Sequence, residues 1–541
     1  MTALALAAAF CMTQTASLDN RFDDALGVAG LSTKTARFDP GILSLYAQGE
    51  FESLFFRALN ENPWRTPFYM EMNRRLLAES RLDPAATVST LSRLTGEGSR
   101  RSLLANPIAR FDELAAKEDA MVRALQALKS DGVVSEAPTS VAAPAEVQRA
   151  TALLLYAALD LVRYRRAAFA DVRDLEEAYS RETTVQPSED DPQVHQELVA
   201  FYRTVEMNYM YAVGQDLAAA VARAQEIVQN VPATEKYGVQ IETLWGRIVL
   251  SGGSDSQHQG EGVFILIDTG GNDVYTNAPT NDSVSNWLSV VVDSNGDDKY
   301  VSDPALATAS VASWVGRKGG RAQPGPCSAL FGFSFLNDSR GSDTYRSHRT
   351  GLGAASFGVA MLTDKEGNDV YDSYADGQGY GKFGIGILED HAGNDRYMGF
   401  TQVQGVGLIG GVGALLDRAG DDVYAANDTV IDFPSPQSAQ HNVSMAQGAG
   451  YGLRHDYLSG HSLSGGFGLL YDQAGKDAYS CGVFGQGTGY WQGVGALWDE
   501  KGDDTYFGMW YVQGAAAHFA HGYLEDLDGA DTYSAEMNMA Q

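Results

Sequence analysis

One pattern recurs nine times between residues 268 and 533, and it limits what the chain can become more than any other feature: Asp-x-x-Gly-x-Asp-x-Tyr. It stands at Asp268/Gly271/Asp273/Tyr275, Asp293/Gly296/Asp298/Tyr300 and Asp338/Gly341/Asp343/Tyr345. It continues at Asp364/Gly367/Asp369/Tyr371, Asp390/Gly393/Asp395/Tyr397 and Asp417/Gly420/Asp422/Tyr424. It ends at Asp472/Gly475/Asp477/Tyr479, Asp499/Gly502/Asp504/Tyr506 and Asp526/Gly529/Asp531/Tyr533. Successive first aspartates lie 25, 45, 26, 26, 27, 55, 27 and 27 residues apart. The unit is therefore about 26 residues, with insertions near 303–330 and 428–466.

A unit this short cannot bury its own core, but stacked units can. The residue two before the first Asp is always aliphatic, from Leu266 and Val291 to Leu497 and Leu524, so it belongs to the core. The residue one before it is anything from Ile267 to Glu389 to Trp498, so it faces out. A Gln-Gly pair follows 14 residues after several first aspartates, at Gln378, Gln404, Gln486 and Gln513, with Gln447 displaced by an insertion. Strand, Gly/Asp turn, Tyr-led strand and Gln-Gly corner together read as one coil of a parallel β-helix, or β-solenoid. A propeller blade needs ~40–45 residues, so that alternative fits poorly.

Glycine and charge divide the chain. Residues 1–250 hold 10 Gly and a net charge of -8, and residues 251–541 hold 49 Gly and -22. The fold class expected is a two-part chain: a helical domain over 18–250, then an all-β solenoid over 251–541. Residues 109–130, 145–182 and 193–230 are Ala/Leu/Glu/Arg-rich at helical spacing. Leu153, Leu154, Tyr156, Ala157, Leu159, Leu161 and Val162 fill most of one helix, which should be buried. Arg163, Arg165, Arg166, Asp171 and Glu177 read as a solvated face. The total of -30 excludes a general nucleic-acid binder, which needs clustered positive charge.

Residues 1–17 read as a signal peptide with an apolar core but no basic leader. That places the protein in the periplasm or outside the cell. No other stretch reaches the ~18–20 apolar residues needed to span a bilayer. Cys11, Cys327 and Cys481 give no disulfide framework.

If each coil puts both aspartates at one corner, carboxylates line up coil over coil. Two such charges ~5 Å apart repel by about 3 kcal/mol at an effective dielectric of about 20. Calcium would answer this, as a hard cation held by carboxylate and carbonyl oxygens. All eighteen motif aspartates are then candidate ligands. Turn chemistry is the competing account: Asp accepts a hydrogen bond from the backbone two residues on, and Gly supplies the turn, without any metal. The Tyr column reads as stacked packing.

Gly405-Val-Gly-Leu-Ile-Gly-Gly-Val-Gly-Ala-Leu-Leu-Asp417, Gln492-Gly-Val-Gly-Ala-Leu-Trp-Asp499 and Gln447-Gly-Ala-Gly-Tyr-Gly-Leu-Arg454 resemble the arrays of exported bacterial Gly/Asp-rich repeat proteins of uncharacterised function. The likeness covers about 257–535. It implies an exported β-solenoid and no reaction. Gly270-Gly-Asn-Asp-Val-Tyr275 partly resembles the calcium-binding β-roll nonapeptide, without its tandem nine-residue period.

No catalytic motif is complete. Gly379-x-Gly-x-x-Gly384 and Gly405-x-Gly-x-x-Gly410 lead into strands, so they are architecture rather than a dinucleotide fingerprint. The 428–466 insertion gathers His441, Arg454, His455, Asp456, Tyr457 and His461 in a His-poor chain. A polysaccharide lyase or hydrolase could use Arg454 for charge, His455 as base and Tyr457 as acid, with His461 nearby. Two functions follow. One is a non-catalytic scaffold or binding protein, calcium-stiffened, with a helical docking domain and a protein or polysaccharide partner along its face. The other is a carbohydrate-active enzyme at that insertion.

Overall fold

The computed structural model describes residues 22–36, 51–95, 106–183, 197, 199–259, 262–316, 324–455 and 462–536. The candidate signal peptide, Tyr457 and His461 lie outside them.

Helices occupy the first part and start where capping residues stand. Ser53, Asp83, Asn106 and Asp174 each accept a backbone N–H from the first turn of the helix they open. The expected 109–130 helix is two, Pro107–Ala115 and Ala120–Ser130, divided where Asp119 adopts a left-handed conformation. The expected 145–182 helix is likewise split into Ala145–Ala168 and Leu175–Glu182, because Asp174 caps a new start. Ala145–Ala168 is buried along Leu153, Leu154, Ala157 and Leu161, as its apolar run requires, and it packs against Met207–Val228.

The β part begins earlier than the glycine step at 250, with strand Gly238–Ile241 antiparallel to Arg247–Ser251. From there the chain winds as a parallel solenoid of three sheets with eleven, ten and seven strands. Strands such as Val359–Asp364 form the first sheet and end on the first Asp of the motif. Strands such as Val370–Gly377 carry the Tyr and form the second, and short pieces such as Tyr380–Lys382 form the third. Register is strict. Asp364 pairs with Asp390 and Asp390 with Asp417, while Tyr345, Tyr371 and Tyr397 pair in turn. The Leu and Tyr columns share one inner core from Leu266 and Tyr275 to Leu497 and Tyr506.

The third sheet lies directly on the first. A Cβ on Gly413 would sit 2.0 Å from the Val406 carbonyl, so the Gly-x-Gly strands let two backbones touch with no side chain between. At the Gln-Gly corner, Gln378 turns left-handed and its amide donates to the Tyr371 and Met398 carbonyls at 2.9 and 2.8 Å. Gln447, displaced in sequence, takes the same place and donates to Tyr424 O at 3.1 Å. The 428–466 insertion is two excursions. Between them Ser438–Ala446 pairs with Val483–Gly485, and Gly450–Tyr451 takes a rung of the third sheet.

The helices cover the outer face of the first sheet. Ile265, Val290, Phe335, Met361, Ile387, Ala414 and Leu469 leave the coil and join the helices' core. Gly214 lets the helix Met207–Val228 settle on Val359, where a Cβ would be 2.7 Å from its side chain. A stack of Phe331, Phe357 and Phe383 receives Phe169, Phe201 and Tyr202 edge-on or tilted. The residue before the first Asp faces out of the coil, as expected, but into this layer: Glu389, Tyr471 and Trp498 are buried. Arg165 corrects the solvated-face reading. It is buried and donates to Phe331 O at 3.2 and 3.1 Å and Val284 O at 3.3 Å, tying helix to solenoid. Among the described residues no helix is long and apolar enough to cross a membrane.

Candidate metal centre

The two aspartates of each coil do different work. The first ends a first-sheet strand and is fully buried along the interior coils. Its Oδ1 accepts the backbone N–H two residues on, as Asp293 does from Asn295 and Asp390 from Ala392, both at 3.0 Å. That is the Asx turn expected from the residue type. Its Oδ2 accepts the Tyr hydroxyl of the preceding coil: Tyr371 to Asp390 and Tyr397 to Asp417 at 2.6 Å, Tyr424 to Asp472 at 2.7 Å. The Tyr column is therefore both a stack, with rings 4.8 Å apart, and a ladder of donors.

The second Asp passes its contact in the same direction. The backbone N–H of Asp343 donates to Asp369 Oδ1, that of Asp369 to Asp395 Oδ1 and so on, at 2.6 Å. Its other oxygen has no partner. Oδ2 of Asp273, Asp298, Asp343, Asp369, Asp395, Asp422, Asp477 and Asp504 is buried without a hydrogen bond. The Asx turn and the Tyr hydroxyl thus account for both oxygens of the first Asp, and a backbone N–H of the neighbouring coil accounts for one of the second. One buried acceptor per coil is left unexplained, although such atoms are normally satisfied.

Asp531 departs from this row. It stands on the last described coil and is only half-buried. It accepts the Asp504 N–H at 3.1 Å, but its Oδ2 is not one of the buried oxygens without a partner. The reason is position. Among the described residues no further coil stacks on it, so nothing takes its carboxylate out of solvent. The row of leftover oxygens therefore ends at Asp504.

Carboxylates of successive coils converge. Asp273/Asp293/Asp298, Asp298/Asp338/Asp343, Asp343/Asp364/Asp369 and Asp369/Asp390/Asp395 each bring one oxygen per residue within 4.8 Å of the others. The motif glycine makes room. A Cβ on Gly296 would lie 2.0 Å from Gly271 O and 2.6 Å from Asp298 Oδ2, so main-chain and carboxylate oxygens meet there. Such stacked triads could hold metal ions.

Electrostatics agrees with the geometry. Burial, then neighbouring carboxylates, pushes Asp298 up to about 9, Asp422 to about 10 and Asp343 to about 12. Asp369 rises to about 7 and Asp395 to about 8, chiefly through burial. Asp364 and Asp390 lie well above the usual carboxylate range for the same causes. The raised values favour proton-bound acids in the column when no cation is present.

The first triad differs from those above it. His258, Asp268 and Asp273 converge, with His258 Nε2 3.0 Å from Asp268 Oδ2. His258 was not among the residues singled out from the sequence. Its signal is a degenerate repeat, Ser251-x-x-Ser254-x-Ser256-x-His258, in register one coil below the first motif: Ser251 pairs with Asp268 and His258 with Tyr275.

The candidate catalytic set fares differently. Arg454 Nη1 lies 3.1 Å from His518 Nε2, and its guanidinium sits over Trp491. The His455 side chain is buried. His441 is paired with Asp428 at 2.7 Å. The chain matches no family model, no curated protein and no solved structure.

Proposed function

We propose that the chain is an exported, non-catalytic scaffold or binding protein whose solenoid is stiffened by a row of calcium ions. The observation that carries this is the unpartnered Oδ2 of the second Asp, repeated in eight coils. Each interior coil adds two buried aspartates, so one divalent ion per coil neutralises the column. The donor set above the first coil is all oxygen, which suits a hard cation. The ions would join each coil to the next at the corner where repulsion is greatest. Calcium at millimolar levels outside the cytoplasm fits the export read from residues 1–17.

The helical layer covers the first sheet, and residues 304–315 of the first insertion and Phe433 of the second pack on the second sheet. A protein or polysaccharide partner would lie along the second sheet, where Val423 and Phe507 are exposed. The carbohydrate-active alternative draws no support from His455, which is buried, or from Arg454, which is engaged with His518 and Trp491.

The test is a thermal melt of the full chain with chelator, calcium or magnesium. A ligand that binds only the folded state stabilises it by about 1.4 kcal/mol per site at ten times its Kd. Several sites together should raise the midpoint by many degrees, with calcium well ahead of magnesium. An unchanged midpoint would refute the proposal.

A further inference from the structure

We infer that the N-terminal end of the ladder is a separate site, formed by His258, Asp268 and Asp273, that selects a d-block divalent cation such as zinc, manganese or cobalt(II) over calcium. This rests on the reading that the ladder holds cations, and deepens it by giving one position a different chemistry.

Four observations converge on this end. The coil below Asp268 is the degenerate repeat, in which Ser251, Ser254 and Ser256 stand where the motif has Asp, Gly and Asp. A triad with a motif coil beneath it has three carboxylates, whereas this one has two. The third donor is an imidazole, in the column that tyrosines fill above: His258 stacks on Tyr275 at 4.8 Å and 18°. Finally, Asp273 is 1% exposed and its Oδ2 has no partner. The place a Cβ of Gly271 would take lies 2.8 Å from both that Oδ2 and Ser254 O, so the oxygen points into an oxygen-lined corner.

The exchange of Tyr for His changes what the rung can bind. A phenol is protonated at neutral pH and serves the next Asp as a donor. A neutral imidazole offers a nitrogen lone pair. Imidazole with two carboxylates is a donor set for zinc and its neighbours, whereas calcium prefers oxygen throughout. The His258 side chain is held between Tyr275 and Asp268 with only 9% exposure, so the nitrogen is fixed in place.

The experiment uses the full chain stripped of metal and titrated with cobalt(II) in excess calcium. The wild type should take up one cobalt per chain with a visible d–d band, and X-ray absorption at the cobalt edge should show one imidazole in its shell. His258→Tyr restores the motif residue and should abolish that band while leaving the calcium-induced rise in melting temperature intact. The inference is overturned if the wild type binds no cobalt under calcium, if its cobalt shell lacks imidazole, or if H258Y keeps the band. If calcium moves neither melting point yet the imidazole-ligated cobalt appears, the ladder reading fails and this site stands.

Discussion

The Tyr371 hydroxyl donates to Asp390 Oδ2 at 2.6 Å across the step from one coil to the next, while the Tyr371 ring stacks on Tyr397 at 4.8 Å. One side chain thus supplies the packing that holds the step together and the polar contact that satisfies a buried acid. Tyr371→Phe separates the two. It keeps the stack and leaves Asp390 Oδ2 without its donor. The expected loss is about 1–3 kcal/mol, the cost of leaving a buried acceptor without its partner. Urea unfolding of the full chain checks it, and a cost below about 0.5 kcal/mol would mean that the hydroxyl is not holding the acid.

Metal-free protein should lose stability as pH rises from about 4 to 8. Asp369, Asp395 and Asp298 have folded pKa values of about 7, 8 and 9 against a reference of 3.8. Across that window the folded state holds protons that the unfolded state has released. The sign of the linkage is therefore a falling stability that continues through the folded values. Calcium displaces those protons and should flatten the curve. Melting temperature against pH, with and without calcium, reads both. A metal-free curve that rises over the window would contradict the buried-acid account.

Asp395→Asn should change sign with conditions. The amide keeps an oxygen to accept from the Asp369 N–H, bonded at 2.6 Å in the native chain, and removes a carboxyl crowded by burial and Asp417. Above pH 8 without metal the variant should melt higher than wild type. With calcium it should melt lower, because two adjacent triads lose a ligand. Equal shifts in both conditions would show that this carboxylate does not bind the ion.

Phe357→Ala tests the docking of helices on coils. Phe357 is buried between Phe331 and Phe383 and meets Phe201 edge-on at 5.1 Å. Removing a buried Phe costs about 3–5 kcal/mol. The loss should fall on the joint, so the helical part should become protease-sensitive at temperatures where the coils still resist. Simultaneous loss of both parts would show one cooperative unit instead.

The coils were legible because their chemistry repeats. Nine copies of one pattern fix strand, turn and register, and the aliphatic residue before Ile267 or Glu389 had to be core. What covers the coils was not legible. Glu389 and Trp498 occupy the same outward position, and only the helical layer explains why both are buried. Asp531 matches the motif as well as Asp395 does, yet the pattern carries no mark of standing on the last described coil, where burial fades. Arg165 looked like a surface charge because its partners, the carbonyls of Phe331 and Val284, lie more than a hundred residues away and carry no side-chain signal. His258 escaped notice for the opposite reason. Its repeat keeps the spacing but has exchanged every motif residue for Ser or His, so a search for Asp and Tyr passes over it. The metal question was open in the sequence because Asp/Gly turns need no ion. Only atomic detail separates the oxygens that backbone and Tyr donors satisfy from the Oδ2 of the second Asp that they leave over.

The most direct measurement is anomalous diffraction from crystals of the full chain grown with calcium. A line of peaks, one per coil, beside Oδ2 of Asp298, Asp343, Asp369, Asp395, Asp422 and Asp477 is the predicted result. Bare carboxylates with no anomalous density at those positions would contradict the account and leave the column as a stack of protonated acids.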